Sequence, residues 1–137
     1  MATQEQIKQA EAELAQVEEA LKAARAALAT ATAEKESINN FYNAFVARWN
    51  THKKHFDYLP NDALREWAVK DHEFQLEDKV IGKRYKEIDS RVEKLKEEVR
   101  ASEESRVYRV RELALMKMPE GKAYHLDRQD RKIRGLS

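Results

Sequence analysis

The chain has 137 residues, enough for one domain, but 37% of them are charged, only three are glycine and two proline, and alanine supplies much of the hydrophobic share. Alanine, glutamate, lysine, leucine and arginine dominate, which is the composition of long helices, and it argues against a deep core around a pocket. The absence of cysteine excludes disulfides, thiolate metal sites and cysteine nucleophiles, and fits a reducing compartment.

The net charge of +1 conceals an asymmetry: residues 1–99 carry 16 basic and 19 acidic side chains, residues 100–137 carry 10 and 6. The C-terminal segment is therefore the basic end. Met1-Ala2-Thr3-Gln4-Glu5 shows no basic region leading into an apolar run, and no stretch nears about 18 consecutive apolar residues. The expectation is a chain without signal peptide or membrane span, placed in the cytoplasm or inside an assembled particle.

Thr3 is suited to cap the first helix, with Gln6 at the capping-box position three residues on. A seven-residue pattern follows without a breaker. One seam position takes Ile7, Leu14, Leu21, Leu28, Lys35, Tyr42 and Trp49; the other takes Ala10, Val17, Ala24, Ala31, Ile38 and Phe45. Only Lys35 breaks the apolar series, so the signal for a coiled coil is strong.

Tyr58-Leu59-Pro60-Asn61-Asp62 reads as a turn, because Pro60 cannot continue a helix and disfavours helical geometry at Leu59. Asn61 or Asp62 is then the expected cap of a second helix. Its seam runs Leu64, Trp67, Asp71, Phe74, Asp78, Ile81, Tyr85, Ile88, Val92, Leu95 and Val99, weakened at the two aspartates. Beyond Val99 the apolar residues Val107, Val110 and Leu113-Ala114 suggest a four-residue shift of the seam, a stutter. Met118-Pro119-Glu120-Gly121 ends the helix.

The expected fold is all-α: a long antiparallel helical hairpin, or intramolecular coiled coil, with a short basic C-terminal tail. Helices over about 3–57 and 62–117, joined by a turn at 58–61, make up a hairpin of residues 1–118, and the tail takes 119–137. Pairing about Pro60 places opposite each other residues whose numbers sum to about 120, so Ile7 meets Leu113 and Leu28 meets Val92.

Three regions stand out. Alanines 20, 23, 24, 26, 27, 29, 31 and 33 cover more than one face; high helix propensity explains them, and a second interface is the functional alternative. Eight of the eleven aromatics lie between residues 41 and 74, where hairpin pairing brings Phe45 to Phe74 and Trp49 to Trp67. Most belong to a local core at the turn, but adjacent Phe41 and Tyr42 cannot both face the seam, so Phe41, Trp49 and Trp67 are candidate partner-binding residues. The tail sets Tyr124, Leu126, Ile133 and Leu136 among Lys122, Arg128, Arg131, Lys132 and Arg134. Tyr124, Leu126, Arg128, Arg131, Lys132 and Arg134 are the docking candidates there, against the plainer reading of a solvated end.

Gly82, Gly121 and Gly135 lie too far apart for a phosphate-cradling loop, and no Gly-x-Ser-x-Gly elbow occurs. His52-x-x-His55, with His72 nearby, has metal-ligand spacing, but Lys53 and Lys54 between them oppose a divalent cation. The expectation is therefore no catalytic residue, no metal, no cofactor and no small-molecule substrate. In architecture the chain is similar to the small helical-hairpin and scaffolding components of large assemblies, such as phage particles or secretion machines. It is expected to be a non-enzymatic structural or assembly protein, a scaffold or adaptor, whose partners are proteins or copies of itself. The alternative is a nucleic-acid-associated protein using the basic C-terminal region, with Arg100, Arg106, Arg109 and Arg111 beside the tail arginines.

Overall fold

The structure, a computed structural model, describes residues 2–118. It is an antiparallel helical hairpin: α1 spans Gln4–His55, α2 spans Leu64–Lys117, the two pack against each other, and no strand occurs among the described residues. The tail candidates Tyr124, Leu126, Arg128, Arg131, Lys132 and Arg134 lie outside the described residues.

Helix α1 starts as its sequence requires. Gln6 N donates to Thr3 Oγ1 at 3.1 Å and Thr3 N donates to Gln6 Oε1 at 2.9 Å, a reciprocal capping box that satisfies two otherwise orphaned amides. The turn differs in detail from expectation. Two single turns of 3-10 helix, Phe56–Tyr58 and Asn61–Ala63, flank an extended Leu59-Pro60. No side chain of Asn61 or Asp62 caps the second of these turns; Ala63 N donates to Pro60 O at 3.0 Å instead. Proline at ψ 156° turns its carbonyl toward that amide, so the backbone closes the turn without a side chain.

Contacts divide the chain into two compact units, each pairing a piece of α1 with a piece of α2. The first unit combines residues up to Ala27 with those from Leu95 onward. Ala10 and Leu21 are buried there, and Ile7, Leu14, Val17, Leu95 and Val99 are half-buried. Its rim is charged: Arg109 Nη1 meets Glu13 at 2.7 Å, Arg25 meets Glu103 at 3.1 Å, Lys117 meets Glu11 at 3.4 Å and Arg106 meets Glu18 at 3.5 Å.

The expected stutter is absent from its first half. Val107 and Val110 are exposed, whereas of the positions that continue the seven-residue spacing of Val99, Ser102, Arg109, Leu113 and Met116 are half-buried and Arg106 is exposed. A helix changes its seam only by unwinding locally, and an arginine can hold a seam position by packing its methylene stem and sending its guanidinium to a rim carboxylate. Arg109 does so with Glu13 and with Glu112. The apolar character of two valines does not outweigh that pairing.

The second unit comprises Leu28–Lys94 and includes the turn. Ala31, Ile38, Phe45, Ile81, Ile88 and Val92 are buried in it, with Phe45 fully enclosed. Phe45 faces Phe74, Trp49 faces Asp71 and Lys35 faces Asp89, close to the register that pairing about Pro60 sets.

Candidate functional site

The polar residues of the second unit's seam answer one another across the helices. Lys35 Nζ donates to Asp89 Oδ1 at 2.6 Å and lies 5.7 Å from the Tyr85 ring centre, and the hydrogen bond raises the ammonium's pKa above its ordinary value. Asp71, the aspartate that weakens the α2 seam in sequence, accepts from Trp49 Nε1 and from Gln75 Nε2, both at 2.9 Å. Those bonds, the indole's foremost, hold its carboxyl below the usual carboxylate range. Asp78 faces Tyr42, and its charge raises the phenol's pKa. Each polar interruption is thus matched only in one alignment of the helices, as polar seam residues do in specifying register.

Toward the turn the aromatics close a small core. The Phe45 ring lies 5.8 Å from both Trp49 and Phe74, and Trp49 stacks on Phe74 at 6.2 Å and 4°. His52 stacks on Trp67 at 4.5 Å and 8°, while Trp67 Nε1 donates to His52 O at 2.8 Å. Lys53 Nζ sits 4.0 Å from the Trp49 ring centre. Trp49 and Trp67, candidate partner-binding residues, are thus half-buried with their indole N–H groups engaged inside the hairpin.

His52 is buried with Nε2 3.8 Å from Asp71 Oδ1, and His55 and His72 are exposed. The three histidines do not converge, and among the described residues no group of three or more His, Cys, Asp or Glu side chains is placed to hold a metal.

Phe41 is different. It is 54% exposed and lines an open groove of about 350 Å³ with Ser37, Ile38, Glu77, Val80, Ile81 and Arg84. Val80 is 67% exposed, and Leu76 and Val69 on the same outer side of α2 are 50% and 57% exposed. These three escape a reading that follows the main seam. Their signal is a second row, Val69, Glu73, Leu76, Val80 and Lys83, spaced alternately by four and three residues. On the opposite flank, Asn39, Tyr42, Asp78, Ile81, Gly82 and Tyr85 line a second groove of about 260 Å³.

Three arginines in the C-terminal half of α2 are paired. Arg100 bridges Glu97 and Glu104, Arg106 faces Glu18, and Arg109 binds Glu13 and Glu112. None of the described helices is long and apolar enough to cross a membrane. No family model, curated protein or solved structure matches the chain.

Proposed function

We propose that this chain is a non-catalytic structural or assembly protein, a scaffold or adaptor acting through helix-to-helix contacts with protein partners or further copies of itself. The observation that carries the reading is the outer apolar face of the second unit, with Phe41 and Val80 more than half exposed beside a seam that is already filled. Apolar side chains clustered in water beside polar neighbours are the ordinary composition of a protein interface.

Charge pairing favours protein over nucleic acid. A duplex binder needs cations free to replace condensed counterions, and Arg100, Arg106 and Arg109 already face carboxylates of the hairpin. The alternative, a nucleic-acid-associated protein using the basic C-terminal region, requires phosphates to displace those carboxylates or the tail arginines to bind them. The test is the size of the native complex in extracts of the source cells, with and without nuclease. A protein scaffold runs well above its 16.0 kDa and keeps its size after nuclease digestion. Release as free chain by nuclease, with affinity for random duplex falling steeply as salt rises, overturns the reading.

A further inference from the structure

We propose that the outer face of α2 between Glu66 and Lys83 is a self-pairing surface on which a second copy of this chain docks antiparallel, about a two-fold axis. The inference deepens the assembly reading, on which it rests, by naming one partner.

The row Val69, Glu73, Leu76, Val80, Lys83 has the four-three spacing that keeps one face of a helix turned toward a neighbour. In the hairpin no neighbour is there: Val69, Leu76 and Val80 are 57%, 50% and 67% exposed. The charges around the row say what covers it. An interface with a two-fold axis must be complementary to itself, so each charge has to meet its opposite when the helix is laid against its own reverse. With the axis between Phe74 and Gln75, Val69 meets the second copy's Val80, next to Phe41, and Leu76 lies close to the axis. In the same alignment Glu66 meets Lys83, a pair that occurs twice, and Lys70 comes near Glu77, whose carboxylate Arg48 of the hairpin approaches at 3.8 Å. Glu66, Lys70, Glu73, Lys79 and Lys83 are all exposed in the hairpin. A parallel pairing in register would instead set Glu73 on Glu73 and Lys83 on Lys83, which like-charge repulsion disfavours. A surface carrying equal numbers of both signs suits its own reverse better than a strongly charged ligand.

The chain has no cysteine, so single introduced cysteines report this geometry without background. Full-length chains carrying Glu66→Cys and chains carrying Lys83→Cys are mixed at high concentration and treated with a short bismaleimide. The mixture forms a cross-linked dimer. Either variant alone does not, because identical positions lie 17 residues apart along the antiparallel pair, about 25 Å at the helical rise. Cross-linking of each variant alone signals parallel pairing and overturns the proposal.

Sedimentation supplies the second readout, since it needs no modification. The wild-type chain dimerises in the micromolar range, and Lys83→Glu weakens this about tenfold because two like-charge contacts arise. Adding Glu66→Lys to Lys83→Glu restores it. A chain that stays monomeric at every concentration, with no cross-link in the mixture, refutes self-pairing. If that monomer still enters a nuclease-resistant protein complex, only this inference falls; if it enters none, the assembly reading falls with it.

Discussion

Phe45→Ala removes the one large side chain that is completely enclosed among the described residues. Its ring touches three others, with centres 5.8 Å from Trp49 and Phe74 and 6.2 Å from Tyr42, and Ile38 lies about two helical turns before it on the same seam. Truncating a buried phenylalanine costs about 3–5 kcal/mol, part transfer and part cavity. Two helices leave the flanks of their seam open, so water and the surrounding rings relax into the space, and the expected loss is near the low end, about 3 kcal/mol. The matched control is Phe41→Ala, four residues earlier and 54% exposed, for which about 0.5 kcal/mol or less is expected. Urea unfolding followed by far-ultraviolet circular dichroism gives both values. Tryptophan fluorescence adds a local probe, since Trp49 and Trp67 both lie in this cluster. A loss under about 1 kcal/mol for Phe45→Ala, or an equal loss for Phe41→Ala, refutes the assignment of inner and outer faces.

A β-carbon at Gly82 would meet no atom within 4 Å, so Gly82→Ala should raise unfolding free energy by about 1 kcal/mol, the helix-propensity difference; a destabilised variant would show that the groove beside Tyr42 and Tyr85 is filled. Trp49→Phe removes the indole donor to Asp71 while Gln75 stays, and should lower stability at neutral pH. Because the folded carboxyl titrates below its unfolded value, its contribution is present above the ordinary carboxylate range and vanishes as pH falls through the depressed folded value. Acid unfolding curves should therefore show a smaller loss over that interval for Trp49→Phe than for wild type. Lys35→Leu should leave the melting temperature unchanged or raise it, since Asp89 is 44% exposed and stays hydrated after losing its partner. A drop beyond about 5 °C would show that the lysine is required where it stands.

The hairpin was legible because a seven-residue apolar repeat on each side of a proline leaves few other ways to bury both stripes. The capping box at Thr3 and Gln6 was legible for a similar reason, being local and short. Asp71 and Asp78 read as weaknesses in sequence because their partners, Trp49 and Tyr42, come from the other helix and only register reveals them. Val107 and Val110 misled because hydropathy ranks valine above arginine, whereas seam occupancy depends on where the side chain can end. Ser102 and Arg109 keep the original spacing at the cost of apolar area, with Glu13 receiving the guanidinium. Phe41 stands out in sequence from its conflict with Tyr42 over the seam; it is 54% exposed, and Tyr42, at 36%, is only partly covered. Its companions Val69, Leu76 and Val80 were not, since a sparse second row is masked in the linear pattern by the stronger first one.

The most direct test of the account is the size of the native complex when the outer apolar face alone is altered. Phe41→Ser with Val80→Ser touches two side chains that are 54% and 67% exposed, so the purified double variant should keep the helix content and unfolding midpoint of the wild type. In source-cell extracts the wild-type chain should run in a protein complex, and the double variant should run as the 16.0 kDa chain alone. A double variant that folds normally and still enters the complex in full would contradict assembly through this face.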